Sequence, residues 1–400
     1  MPKKTDGPQE DAATTRARLL GDQIKKMGKT YKGLSPLANA RDDERLIVPR
    51  VSTGLYALDV AMNGGYPICR MTLVYGDAKG GKTTMLLRGL ANIQRLCGNC
   101  YKPAEFEYGV VKLPDARTGE IKEVKTQVIK NCSCGNPKDI VALWCDSEGV
   151  WLPSWAKTLG VWAEKVILMR PSFGEQGYDI ITGFAQTGLI DLMVIDSLAA
   201  MTPSDELTGG MQETQPGVAA RMNNKFIRKI ISLMNLGFQA DVGMTIWAIN
   251  QFREKIGVQF GSNKTLPGGK GQLFAGTIEL EFNPGKVTLD ENDEPILGEF
   301  RWVVRKNKVG TSGGKGSYKQ WMSDTDIFKI GDLQEHDTVI AKAVGMGMVD
   351  HPNSQIYEFD GKKFRGINHL IRYFGENPHR YDALKSEMLL KKLHLDEEYD

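Results

Sequence analysis

The stretch Gly76–Thr84, GDAKGGKTT, decides the fold. It fits the pattern GxxxxGK[ST] with Gly76, Gly81, Lys82 and Thr83 in the required places. The run TLVY precedes it and reads as a strand, and a helical segment follows. In that setting backbone N–H groups of the loop and of the helix N-terminus point at phosphate oxygens, so the side chains there must be small. Lys82 is placed to neutralise the β and γ phosphates and the Thr83 hydroxyl to sit on Mg²⁺, with Asp77, Gly80 and Thr84 completing the loop. The chain is expected to bind a nucleoside triphosphate.

Working outward, the runs MTLVYG, IVALWCD, KVILMR, DLMVID and MTIWAIN are nearly continuous in apolar residues. Strands of that kind are covered on both faces, which predicts an α/β core with a mostly parallel sheet over residues 51–330. Two later runs, GTIELEF and EFRWVVRKN, alternate more strictly and predict an antiparallel extension at one edge. DLMVIDS delivers Asp196 to the carboxyl edge of the sheet as a second acid for the magnesium shell. VALWCDSEG ends in Glu148, a candidate to orient the attacking water; the alternative is that Ser147 and Glu148 cap a helix.

The flanks are smaller. Residues 1–50 hold a helix candidate with Leu20, Ile24 and Met27 on one face, and eleven Lys or Arg against seven Asp or Glu. This segment reads as a surface element or a docking arm. Residues 331–400 read as a small α+β module ending in the acidic DEEYD. Apolar content of 41%, charged content of 25% and a net charge of +2 suit a globular chain, and make no case for nucleic acid by themselves. No apolar leader and no run of membrane-spanning length is present, so a cytoplasmic protein with no membrane partner is expected. Six cysteines in such a compartment favour metal binding or buried thiols over disulfides.

With these motifs stand VSTGLYALDVAMNGGYP, GVAARM, INQFREKIGVQFG and VRKNKVG, and in them the chain resembles the RecA recombinases over roughly 15–96 and 136–385. The resemblance implies an ATPase that forms a helical filament of its own copies on single-stranded DNA and pairs that strand with a homologous duplex. It implies ATP and Mg²⁺ at Lys82, Thr83 and Asp196, water activation by Glu148, adenine stacking on Trp155 and γ-phosphate sensing by Gln251. It also implies that Lys306 and Lys308 reach a neighbouring subunit's ATP; without it, RKNK would read as a solvated basic strand end.

Two loops are expected to face DNA. The first, 206–217, opens onto a helix that presents Arg221, Lys225 and Arg228 at spacings of four and three. The second, 251–272, carries Arg253, Lys255, Lys264 and Lys270 against Glu254. Ile256 and Phe260 are there to wedge between bases, and Gly268 and Gly269 to bring backbone to phosphate. The chain departs from the family pattern at Pro216 and Lys270, at Leu152, where an acid near adenine is common, and in a five-residue expansion around NLGFQADVG.

The helix after the phosphate loop runs into CGNC, and some forty residues later comes NCSCGNP. Cys97, Cys100, Cys132 and Cys134 make a plausible tetrahedral thiolate set for structural Zn²⁺ within an insertion at 97–135; free buried thiols are the alternative. All five histidines lie after residue 330, so a local site would be cysteine-only. The residues between read as a β-hairpin turning at DARTG, too small to hold itself by apolar burial. By analogy with zinc-finger peptides, the metal would supply about 10–16 kcal/mol. Its lysines, among them Lys112, Lys122, Lys125 and Lys130, are interspersed with acids and read as a solvated face. Cys69 and Cys145 read as buried, inert thiols. The expectation is therefore a recombinase; the alternative is a mediator or regulator that binds ATP and DNA without exchanging strands.

Overall fold

The structure is a computed structural model and describes residues 12–30, 48–115, 117–210, 217–239, 243–254 and 264–393. Its centre is a nine-stranded sheet: β1 (Met71–Gly76), β2 (Ala142–Asp146), β3 (Val166–Met169), β4 (Leu192–Asp196), β5 (Thr245–Ile249), β6 (Ile278–Leu289), β7 (Pro295–Asn307), β8 (Lys315–Trp321) and β9 (Leu333–Gln334). The order across the sheet is β9-β8-β7-β6-β1-β5-β4-β2-β3. From β6 to β3 the neighbours are parallel, and from β6 to β9 they are antiparallel.

β6 differs from expectation. Its alternation predicts membership of an antiparallel edge, yet Ile278–Phe282 pairs in parallel with Thr72–Gly76 while the far side pairs antiparallel with β7. The strand is the seam between the two halves of the sheet. The alternation lies in its buried first half, where Ile278, Leu280 and Phe282 enter one core while Glu279 and Glu281, on the opposite face, pair with Lys306 and Arg305.

Side chains along the central strands alternate between two cores, as a two-residue period requires. Val74, Trp144, Val194 and Trp247 face one side; Leu73, Leu143, Ile195 and Ile246 face the other. The first side is covered by the helix that follows the phosphate loop, Lys82–Ile93, through Met85, Leu86, Leu90 and Ile93. The second is covered by the helices Gly174–Thr187 and Val218–Gln239, through Ile181, Phe226 and Ile230. Each such burial stabilises by about 1.5–3 kcal/mol before chain entropy is counted. The sheet's carboxyl edge is thereby held rigid under the phosphate loop.

Two appendages attach to this body. After β9 come the helix His336–Gly345, a three-stranded meander and the helices Ile367–Glu376 and Pro378–Leu393, with their own core around Ile340, Phe374 and Met388. Lys385 fastens this module to the core: its ammonium donates to Glu335 Oε1 at 3.1 Å and to the Gly54 carbonyl at 3.2 Å. The other appendage is an antiparallel hairpin of Glu105–Pro114 with Ile121–Asn131. It rests on the core through Phe106 against Trp162, ring centroids 4.9 Å apart, and through Thr126 Oγ1 donating to Glu164 at 2.6 Å. At its root the Gly98 N–H donates to the Lys138 carbonyl at 2.7 Å, so the chain leaves and re-enters the core at neighbouring points. The N-terminal helix Ala12–Thr30 leaves Leu20 and Ile24 more than half exposed.

Candidate active site

The loop between β1 and the helix Lys82–Ile93 needs glycine where sequence reading put it. A Cβ at Gly76 would meet the Phe282 carbonyl at 1.8 Å; one at Gly81, which begins the helix at φ +83°, would meet Tyr318 Oη at 2.6 Å. Lys82 is buried and its ammonium turns back on the loop, donating to the Asp77 carbonyl at 2.6 Å. Burial pulls that ammonium below the usual lysine range, against the opposing charges of Asp196, Glu148 and Asp77. A desolvated ammonium among loop carbonyls is poised for anionic oxygens.

Three acids meet at the ends of β2 and β4. Thr83 Oγ1 donates to Asp196 Oδ2 at 3.0 Å. Burial pushes the Asp196 carboxyl up to about 7, opposed by the Thr83 hydrogen bond and aided by the charges of Glu148 and Asp146. A carboxyl so placed favours a cation beside it, and the hydroxyl–carboxylate pair is the donor set a magnesium ion takes. Glu148 Oε1 accepts from Ser197 Oγ at 2.5 Å and from Gln251 Nε2 at 2.8 Å. The capping alternative does not hold here: the nearest helix, Pro153–Thr158, begins beyond Leu152 and has no side-chain cap. The acid that organises this turn is Asp146, which accepts from the N–H groups of Val150 and Trp151 and from Arg170 Nε.

Lys82, Thr83, Glu148 and Gln251 line a cavity of about 420 Å³ with Gly80, Gly81, Thr84 and Trp155; Asp196 is not in its lining and reaches it only through Thr83. Sequence reading missed its far wall, made by Phe300, Gln320, Trp321, Met322 and Ile330. Those residues belong to β7, β8 and the turn after them, and no local motif marks them. Lys306 and Lys308 are not in this cavity. Lys306 pairs with Glu279 at 3.0 Å and Lys308 donates to the Phe274 carbonyl at 2.9 Å, on the side of the sheet away from their own phosphate loop.

Of the expected DNA-facing groups, Arg221, Lys225 and Arg228 are exposed on one helix, Val218–Gln239. Arg253 opens a two-residue strand that pairs with Lys264–Thr265, and Lys270 precedes the short helix Gly271–Ala275. Lys255, Ile256 and Phe260 lie outside the described residues, as does Pro216. Gly268 and Gly269, expected to bring backbone to phosphate, pack against the helix on their Cα side: a Cβ on Gly268 would meet Asn223 Nδ2. Their left-handed φ of +86° and +82° lets the loop return over Asn223 and Asn224.

The four insertion cysteines converge. Their sulfurs all lie within 4.8 Å of one another, with Cys97–Cys134 at 3.7 Å and Cys100–Cys132 at 3.4 Å. Those separations are far longer than a disulfide and near the edge of about 3.8 Å that a Zn–S bond of about 2.3 Å gives a tetrahedron. The donor set therefore fits zinc. Cys145 is buried inside β2, whereas Cys69 is half-buried.

A largely parallel sheet carrying a phosphate loop, with an acid at the end of each of two neighbouring strands, defines a P-loop nucleotide-binding core. The family described as "RecA N-terminal domain" matches residues 18–110 and 117–350. The chain is 28% identical over 376 residues to "Protein RecA" of Macrococcus caseolyticus, covering 93% of this chain and 90% of that protein. "Protein RecA" of Streptococcus uberis is 27% identical over 395 residues, with 97% and 89% covered. "Protein RecA" of Streptococcus thermophilus is 28% identical over 382 residues, with 94% and 86% covered. The chain belongs to the RecA family, whose members are recombinases, and a mediator that does not exchange strands is not favoured. No helix among the described residues is long and apolar enough to cross a membrane.

Proposed function

We propose that the chain hydrolyses ATP in response to single-stranded DNA, assembles on that DNA as a filament of its own copies, and pairs it with a homologous duplex. The observation that carries this is the unbroken contact from sensor to acid: Gln251, at the end of β5 and the start of the second loop, donates to Glu148. Lys82 would hold the β and γ phosphates while Thr83 and Asp196 would hold Mg²⁺, which neutralises charge on the phosphate oxygens. Trp155, on the cavity wall, offers a face for the adenine ring.

In this reading Glu148 accepts a proton from the attacking water and holds it in line with the γ phosphate. Ser197 and Gln251 hold Glu148 Oε1, which orients the carboxylate and leaves Oε2 for the water. A γ phosphate entering the cavity competes for the Gln251 amide, and any shift of Gln251 moves Phe252 and Arg253, which follow it directly. Lys306 and Lys308, outside their own cavity, would exchange Glu279 and the Phe274 carbonyl for the phosphates of the next subunit's site. Arg221, Lys225, Arg228, Arg253 and Lys270, with Lys255, Ile256 and Phe260, would take the DNA backbone and bases without reading sequence. The four cysteines would hold Zn²⁺ in a closed tetrahedron with no position open to substrate, a structural role.

The test is strand exchange between a circular single strand and homologous linear duplex, with ATP and magnesium, beside Lys82→Ala and Glu148→Gln. Joint molecules from the wild type alone support the proposal. Hydrolysis stimulated by single strands without joint molecules, under all loading conditions, would overturn it.

A further inference from the structure

The phosphate loop contains a carboxylate that its motif does not ask for. Asp77 occupies a variable position of GxxxxGK, beside the place where a triphosphate carries its charge. An uncovered acid there opposes an anionic ligand. Here it is covered: Lys264 Nζ lies 2.7 Å from both Asp77 carboxylate oxygens.

Lys264 comes from the second loop, 187 residues away in sequence. It opens the second strand of the small stem that closes that loop, Arg253↔Thr265 and Glu254↔Lys264. The first strand of the stem follows Gln251 and Phe252. Phe252 is itself tied to the phosphate loop, its N–H donating to the Gly76 carbonyl at 3.2 Å. The Lys264 ammonium stands 5.4 Å over the Phe252 ring, so one lysine touches both strands' attachments. Behind it, Asn283 joins the same patch: its Oδ1 accepts from the Asp77 N–H at 3.5 Å and its amide donates to Glu281, which Arg305 holds at 2.7 Å. The stem is thus fixed to the phosphate loop by a contact separate from the Gln251–Glu148 hydrogen bond.

We propose that Lys264 and Asp77 form an ion-pair latch through which the stem of the DNA loop and the phosphate loop sense one another. Asp77 acts as a positioning residue, not a catalytic one. The inference rests on the reading of 251–272 as a DNA loop and deepens it. A DNA phosphate near the stem draws on the same ammonium that covers Asp77, and a nucleotide phosphate changes the field in which Asp77 sits. Each ligand therefore alters the other's affinity through this pair, and by linkage the two alterations are equal.

The experiment measures affinity for a fluorescein-labelled oligo-dT with and without a slowly hydrolysed ATP analogue. The quantity read is the ratio of the two affinities. Asp77→Asn and Lys264→Met are each expected to change that ratio by about threefold, the size typical of an ion pair whose members are 40% and 37% exposed. The double variant should change it no further than either single one, and Asp77→Lys with Lys264→Asp should return it at least halfway. Independent effects that multiply in the double variant would overturn the latch. So would a Lys264→Met variant that weakens DNA by one factor with and without nucleotide, which would leave Lys264 a plain phosphate contact. If the wild type shows no nucleotide-dependent binding of oligo-dT, the DNA-loop reading falls and the latch with it. If it does and the variants match it, the latch alone falls.

Discussion

One helix serves two regions built on different physics. The amino end of Lys82–Ile93 carries the phosphate loop, and four residues past its carboxyl end stands Cys97. The loop is shaped by backbone geometry on a sheet buried on both faces. The hairpin beyond Cys97 has one half-buried face, with Val111, Val124 and Val128, and an outer face on which Tyr108, Val110 and Ile121 are more than half exposed. A core holds the first region in place whatever is bound. The second has little apolar burial, and at its root four sulfurs converge in the proposed zinc site. Stability of the site and stability of the insertion should therefore be separable.

The sharpest way to break that comparison is to withdraw the Zn²⁺ proposed at the four cysteines. Chelation, or Cys100→Ser with Cys132→Ser, should release hydrogen-exchange protection across 105–131 and leave protection of β1, β4 and β5 intact. By analogy with zinc-finger peptides, the energy withdrawn from the insertion would be about 10–16 kcal/mol. Protection lost equally in both regions would mean that the hairpin and the core are one cooperative unit.

The converse change acts on the core. Trp247 on β5 is fully buried, with Tyr66 at 4.7 Å between ring centroids. Trp247→Ala should lower stability by about 3–5 kcal/mol in denaturant unfolding. Val111→Ala, in the half-buried hairpin, should shift it by less than about 1.5 kcal/mol.

A third change probes the C-terminal module. His336 is buried against Tyr381, rings 4.2 Å apart, and its Nδ1 has no partner among the described residues. Burial, with the Lys385 ammonium beside it and Asp382 opposing, holds it down at about 4. The unfolded chain takes up this proton near pH 6.5 and the folded chain does not. Stability present above that pH is therefore lost as pH falls toward 4, by up to about 3 kcal/mol. His336→Phe should flatten the melting temperature between pH 6.5 and 4. An unchanged slope would assign the acid sensitivity elsewhere.

The smallest effect belongs to the exposed hairpin face, where Tyr108→Ser should move stability by no more than about 0.5 kcal/mol.

What was legible in the sequence follows from range. Gly76, Gly81, Lys82 and Thr83 lie within eight residues, so their spacing is their geometry. Asp196 was legible in position because an acid that ends a buried apolar run has only the carboxyl edge of a sheet to occupy; the acid that ends the other run is Asp146, and Glu148, two residues on, was singled out chiefly by the family resemblance. The family resemblance supplied Gln251, which no local pattern marks. Phe300, Trp321 and Met322 were not legible, because strands near a sheet edge alternate alike whether they line a cavity or face water. The split pairing of β6 escaped for the same reason. Gly268 and Gly269 carried a sequence signal for unusual backbone, but not for which neighbour, phosphate or the asparagines of the helix, would come close. The Lys264–Asp77 pair joins two charges read separately, one in the DNA loop and one in the phosphate loop, 187 residues apart with nothing local to pair them.

The hydrogen bond between Gly98 and Lys138 has one more consequence. The insertion is a detour: the chain departs and returns across a gap that a single N–H spans, so a short turn joining these two points would restore a continuous path around the core. Such a shortened protein would ask what the detour is for, since everything that contacts the phosphate loop would still be present.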